Sequence, residues 1–177
     1  RGEEHISNTA RQILIQEALG FKRPSYAHIP LILAPDRSKL SKRHGATALT
    51  DYRDQGYLPG ALANYLALLG WSPGDDREVF TLTELVQRFD LSRVQKSGAI
   101  FNREKLDWLN REHLKTLSDD DFLAATVRFL PERERAHFEE QESIARALVP
   151  LLRERVSIFS DLRELARRGE LLYFFED

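Results

Sequence analysis

His28-Ile29-Pro30-Leu31-Ile32-Leu33-Ala34-Pro35-Asp36-Arg37-Ser38-Lys39-Leu40-Ser41-Lys42-Arg43-His44-Gly45 is the stretch on which the fold turns. Residues 28–33 form a short apolar run closed by Pro35 and Asp36. That pattern predicts a buried strand, with Pro30 near its beginning or at an edge. Residues 37–45 are polar and basic without periodicity, so they read as a loop. Upstream, Ser7 and Thr9 precede apolar Ala10, Ile13, Leu14, Ala18 and Leu19, and Gly20 follows, which reads as an amphipathic helix with a polar start and a glycine stop. A helix followed so soon by a strand is α/β grammar. One strand leaves its backbone edges unpaired. Most of that sheet is therefore expected to lie outside this chain.

Downstream the pattern is helical. Pro59 opens a helix with Leu62, Tyr65, Leu66 and Leu69 on one face, and Gly70 closes it. Residues 71–76 read as a turn-rich linker. Thr81 and Glu84 form a capping box before Leu82, Leu85, Val86 and Phe89. Ala99-Ile100-Phe101 reads as a short strand, and Asn102 caps a helix carrying Leu106, Leu109 and Leu114. Ser118 caps a helix running to Leu130. Ile144, Leu148, Leu151 and Leu152 mark another helix, and Ser160 caps one ending at Gly169. The apolar tail Leu171-Leu172-Tyr173-Phe174-Phe175 is expected to pack on something. The expected fold class is mainly α, with a small α/β piece followed by a helical body.

Composition narrows the function. The 177 residues contain no cysteine, which excludes a disulfide scaffold, a cysteine nucleophile and a thiolate zinc site. No apolar run reaches the ~18 residues of a membrane span. The opening Arg1-Gly2-Glu3-Glu4-His5 has neither signal- nor transit-peptide character, and there is no methionine. An internal piece of a longer cytoplasmic protein is expected. The net charge is −2, without the basic surplus usual in nucleic-acid-binding domains. The distribution is uneven: residues 1–50 hold eight Lys+Arg against four Asp+Glu, whereas 51–177 hold 18 against 24. A phosphate-bearing ligand is sought in the first segment; scatter across solvated faces is the plainer alternative.

Gly-x-Gly-x-x-Gly, a glycine-rich loop ending in Lys-Ser/Thr, His-Glu-x-x-His and Gly-x-Ser-x-Gly are all absent. What remains is Lys39-Leu40-Ser41-Lys42-Arg43, three cations in five residues after a strand. Alone, such a pattern is usually a solvated basic loop. Its place matters more, because open α/β sheets bind ligands beyond the carboxyl ends of their strands. The start of the first helix would face the same crevice.

These residues carry a resemblance. Arg1-Gly2-Glu3-Glu4-His5-Ile6-Ser7-Asn8-Thr9, Pro30-Leu31-Ile32-Leu33 and Lys39-Leu40-Ser41-Lys42-Arg43-His44-Gly45-Ala46 resemble bacterial-type glutamyl-tRNA synthetases. The pentapeptide is similar to the KMSKS loop of class I synthetases, with Leu40 for Met and Arg43 for the last Ser. The resemblance continues through Tyr65-Leu66-Ala67-Leu68-Leu69-Gly70-Trp71 and Phe101-Asn102-Arg103-Glu104-Lys105-Leu106-Asp107-Trp108-Leu109-Asn110 and is looser from about residue 117. It implies that residues 1–46 are the C-terminal part of a Rossmann-like catalytic domain. Residues 47–116 would be a stem-contact region, and 117–177 the first helical part of an anticodon-binding region. The upstream His-x-Gly-His motif and the rest of the anticodon-binding part would lie outside the chain.

The resemblance also implies an activity: ATP- and Mg²⁺-dependent formation of glutamyl-adenylate, then transfer to the tRNA 3′ end. The implied partners are ATP, glutamate and tRNA(Glu), with no membrane, no zinc site in this segment and a monomeric protein. Lys42 would be the main ATP contact, Lys39 an auxiliary one, and Leu40 and Ser41 would lie near the adenine side. Arg1 matches the arginine that recognises glutamate, since a guanidinium can hold a carboxylate bidentately. Glu4 and His5 match positions lining the ATP site. Glu4 can equally be an acidic group favouring a helix N-terminus, and His5 a packed ring. Arg43, His44 and Lys96 are the implied tRNA contacts. The alternatives are a noncatalytic tRNA-binding or interaction module, for which the isolated chain would show no ATP–pyrophosphate exchange, and a paralogue that attaches glutamate to a modified tRNA base. Residues 117–177 argue against the paralogue, and Lys39 against a glutaminyl enzyme.

Overall fold

A computed structural model describes residues 1–45 and 48–175 of the chain. Ala46 of the resemblance motif and the expected boundary at 46/47 lie outside the described residues. The helices are α1 (Ile6–Ala18), α2 (Leu49–Asp54), α3 (Pro59–Leu68), α4 (Leu82–Arg88), α5 (Arg103–Leu114), α6 (Asp119–Phe129), α7 (Glu132–Glu140), α8 (Glu142–Arg155) and α9 (Asp161–Arg167). The strands are β1 (Ile32–Leu33) and β2 (Ala99–Ile100). The fold is mainly α, with a small parallel sheet.

Residues distant in sequence supply a partner strand within the chain itself. Ile32 and Leu33 pair in parallel with Ala99 and Ile100. Ala99 N–H donates to Leu31 O at 3.2 Å and Phe101 N–H to Leu33 O at 2.8 Å. On the other side Ile29 N–H donates to Arg1 O at 2.7 Å, and Glu3 N–H to Ile29 O at 2.8 Å. The run 29–33 therefore lies between the chain start and β2, with all three parallel. A Cβ on Gly98 would fall 2.8 Å from Leu33 Cδ1, so glycine allows the strands to approach. The expected burial is not observed: Ile29 is 48% exposed and Ile32 37%. A strand is covered on both faces only where layers flank it, and the described residues do not cover both.

Two details of α1 correct the expectation. It starts at Ile6, so Ser7 and Thr9 lie inside it rather than before it. Thr9 Oγ1 bonds back to His5 O at 2.8 Å and lies 2.9 Å from His28 Nε2, tying the helix to the strand entry. Gly20 ends the helix as expected, at φ +71°. The apolar Ile6, Leu14, Ile15 and Leu19 are all more than half exposed.

The middle helices share one core. Tyr52, Tyr57, Leu62, Tyr65, Leu106, Leu109 and Ile158 pack together, which brings α2, α3 and α5 into one unit. Asn102 Oδ1 accepts from Lys105 N–H at 3.0 Å, the expected cap of α5. Thr81 and Glu84 form the expected box. The predicted face of α4 is mostly exposed, with Leu82 and Val86 outside and only Leu85 buried. A seven-residue helix presents one row to its neighbour, and that row is Leu85 against Trp71 and Phe80. Trp71, expected in a linker, is 3% exposed and meets Phe80 edge-on.

Helices α6 to α9 surround a second large core built on Phe122, Phe138, Val149, Leu152, Phe159 and Leu162. Ser118 Oγ caps α6 by accepting from Asp121 N–H at 3.1 Å. Ser160 does not cap α9: it is itself helical and makes no capping bond. Asp161 Oδ2 instead accepts from Ser157 N–H at 2.8 Å and Ile158 N–H at 3.1 Å. The first amides of α9 are already taken by the backbone, Asp161 N–H by Ile158 O at 3.1 Å and Leu162 N–H by Phe159 O at 3.2 Å, so the hydroxyl is not needed. The apolar tail packs within the chain, with Phe175 against Phe138 at 5.0 Å between ring centres.

Candidate functional site

The basic loop is a folded device. Beyond β1 the chain reverses: Arg37 N–H donates to Ala34 O, and Ala34 N–H to Ser38 O, both at 2.8 Å. Arg37 takes φ +63°, a conformation that costs a non-glycine residue ~1 kcal/mol. Asp36 Oδ1 accepts from Ser38 Oγ–H at 2.7 Å and Ser38 N–H at 2.9 Å, and these bonds hold its pKa below the usual value. Leu40 N–H then donates to Ile32 O at 3.1 Å, so residues 39–40 return antiparallel along β1. Reversal delivers Lys39 to the start of the chain.

There Lys39 Nζ lies 3.4 Å from Glu4 Oε1. The Glu4 pKa is lowered, first by its own backbone N–H and then by Lys39. Glu3 was not singled out from sequence. Its Oε1 accepts from Leu31 N–H at 3.1 Å and fixes the chain start to the strand. One of two adjacent glutamates at a helix start gives no local signal for such a role. Gly2, Glu4, Ile29, Pro30, Lys39 and Leu40 line most of a shallow depression of about 300 Å³.

The rest of the loop forms a compact turn over residues 42–44. Ser41 N–H donates to His44 Nδ1 at 3.1 Å and Arg43 Nε–H to His44 Nε2 at 3.3 Å, and Asp36 Oδ2 lies 3.8 Å from the same Nε2. Arg43 donates to Ser38 Oγ at 3.3 Å. His44 is thus partly used by the loop's own fold. Lys42 is exposed and has no ion-pair partner among the described residues.

The Arg1 guanidinium turns along α1, where it donates to Thr9 Oγ1 at 3.4 Å and to Gln12 Oε1. His5 is exposed at the start of α1. Lys96 is exposed in the loop before β2, and no described contact joins it to the basic loop. The structure therefore gathers Gly2, Glu4, Lys39 and Leu40, and builds Ser41, Arg43 and His44 into the adjoining turn. It does not draw Lys96 to them. No cluster of three or more His, Asp or Glu suited to a metal occurs among the described residues.

A lysine-bearing loop beyond the carboxyl edge of a parallel sheet stands where open α/β sheets take their ligands. The family model for class I tRNA synthetases (E and Q), catalytic domain, matches residues 1–108, and the chain belongs to that family. Among curated relatives, the glutamate–tRNA ligase of Moorella thermoacetica is 43% identical over 180 residues, covering 100% of this chain and 36% of the relative. That of Carboxydothermus hydrogenoformans is 62% identical over 115 residues, covering 65% of this chain and 24% of the relative. The crystal structure of a glutamate tRNA ligase from Elizabethkingia meningosepticum, in complex with its amino acid, is similar at TM-score 0.72 and 32% identity, covering 96% of this chain and 36% of that one. The chain thus spans about a third of the Moorella relative and of that solved structure.

Proposed function

We propose that this chain is part of a glutamate–tRNA ligase, which activates glutamate with ATP and transfers it to tRNA(Glu). The observation that carries the reading is the reversal at residues 34–38, which brings Lys39 to Glu4, while Lys42 in the next turn has no ion-pair partner among the described residues. In the reaction a glutamate carboxylate oxygen attacks the α-phosphate of ATP, and the bond to pyrophosphate breaks. Negative charge grows on the leaving group, so a cation aimed at it lowers the barrier. Lys42 is that cation: a compact charge on a flexible stem, with no carboxylate among the described residues to give up first. Lys39 assists once it exchanges Glu4 for a phosphate oxygen. Leu40 and Ser41 set the loop backbone beside the nucleotide, His5 lines the same side, and Arg1 holds the glutamate side chain after release from Gln12. Arg43, His44 and Lys96 meet tRNA phosphates, which fix register and carry little sequence information.

Mg²⁺ would enter with the nucleotide and neutralise phosphate charge. The described residues offer it no cluster of three or more His, Asp or Glu. Residues 1–46 serve the nucleotide, 47–116 the tRNA stem and 117–177 the approach to the anticodon. The test is Lys42→Ala in a protein of the relatives' full length. With tRNA present at saturation, ATP–pyrophosphate exchange is expected to fall ~10²-fold or more, with the KM for glutamate nearly unchanged. An unaltered rate removes Lys42 from the mechanism.

A further inference from the structure

Helix α1 buries a hydroxyl where its composition offers apolar side chains. Ile6, Leu14, Ile15 and Leu19 are all more than half exposed. The one buried residue of α1 is Thr9, at 8% exposure. A β-branched hydroxyl is a poor helix former on propensity alone. What the hydroxyl touches accounts for its place.

A threonine hydroxyl has one proton and two lone pairs. The proton of Thr9 goes to His5 O at 2.8 Å, one helical turn back. With the proton spent there, the oxygen accepts from His28 Nε2 at 2.9 Å and from Arg1 Nη1 at 3.4 Å. The hydroxyl is therefore fully used, and its partners come from the chain start, the helix start and the strand entry. The main chain fixes the same segments: Ile29 N–H donates to Arg1 O at 2.7 Å, and Glu3 N–H to Ile29 O at 2.8 Å. The Arg1 backbone is thus pinned to the strand, and Thr9 is the buried point that holds its side chain. Gln12, the other partner of the guanidinium, is exposed. Both bonds use Nη1, so the Nε–Nη2 edge has no hydrogen-bond partner among the described residues. Such an edge takes a carboxylate in two parallel bonds.

We infer that Thr9 is a positioning residue for the amino-acid substrate: it fixes the Arg1 guanidinium so that its Nε–Nη2 edge meets the side-chain carboxylate of glutamate, and His28 holds the Thr9 hydroxyl in turn. The inference rests on the proposed role of Arg1 and goes beyond it by naming what sets its aim. An untethered guanidinium has to be ordered at every binding event, which weakens affinity. Thr9 acts only through Arg1, so its effect falls on glutamate binding and not on the chemical step.

The test is ATP–pyrophosphate exchange by a protein of the relatives' full length, at saturating ATP and tRNA, with glutamate varied. Thr9→Val keeps the shape and removes the hydroxyl. It is expected to raise the KM for glutamate about tenfold, with kcat and the KM for ATP within about twofold of the parent. Thr9→Ser restores the hydroxyl and is expected to bring the KM back to within about twofold. A variant that merely unfolds in part loses kcat at the parental KM, so the KM shift reads aim rather than stability. His28→Phe removes the donor behind the hydroxyl and is expected to raise the same KM about threefold, which carries the test if Thr9→Val does not fold. Arg1→Ala/Thr9→Val is expected to be no worse than Arg1→Ala, because residues acting through one side chain are not additive. An unchanged KM in Thr9→Val, a loss of kcat alone, or an additive loss in the double variant each overturn the inference while the role of Arg1 stands. An unchanged KM in Arg1→Ala overturns the role of Arg1 and the inference with it. Neither result bears on Lys42, whose replacement is read in the exchange rate and not in the KM for glutamate.

Discussion

Replacing Asn110 by alanine should loosen the joint between the two largest cores. Asn110 is fully buried in α5. Its Oδ1 accepts from Leu58 N–H at 2.8 Å, and its Nδ2 donates to Ser157 O at 2.6 Å. Leu58 is the residue that opens α3, and Ser157 follows the end of α8. One carboxamide therefore holds the start of one helix and the exit of another. Alanine leaves a donor and an acceptor without partners, each costing ~1–3 kcal/mol. The expected loss is about 4 kcal/mol, which lowers Tm by about 8–16 °C for a chain of this size. Urea unfolding followed by the fluorescence of Trp71 and Trp108 gives the comparison. Asn110→Asp sharpens it. The carboxylate still accepts from Leu58 but faces the Ser157 carbonyl, so its folded pKa is raised. Stability should then be highest below the ordinary aspartate pKa and fall as pH rises through the raised value. A loss below about 1 kcal/mol in the alanine variant would refute the reasoning, because water would then be replacing the amide.

Gly56→Ala should cost about 3 kcal/mol or more, from a left-handed backbone together with the clash against Phe159, and near-parental urea stability would show that the turn can relax. His113 Nε2 lies 3.0 Å from Asn64 Oδ1, which also accepts from Phe80 N–H at 2.8 Å, so the neutral ring donates there. Burial lowers its pKa from 6.5. Stability should therefore be complete above pH 6.5 and decline as pH falls through the folded value, and an NMR titration of His113 at or above 6.5 would contradict this.

Much of the candidate site is legible in the chain because its signals are local. Lysines spaced by two residues after an apolar run and a Pro-Asp turn mark a cationic loop at a strand end without any knowledge of the fold. The caps at Thr81, Asn102 and Ser118 are likewise local, since each hydroxyl or amide serves an amide three residues on. Where a cap could be supplied by either of two neighbours, as at Ser160 and Asp161, composition did not choose.

Residue types and spacing alone determined a small α/β piece followed by a helical body, and a basic loop as the place to look for phosphate chemistry. They do so because helix periodicity, turn formers and charge act over a few residues. Only the tertiary structure decided that Ala99 and Ile100 pair with Ile32 and Leu33, and that Lys39 meets Glu4. Each of those pairings joins residues tens of positions apart. Their approach is set by how the cores close, and no local pattern encodes that.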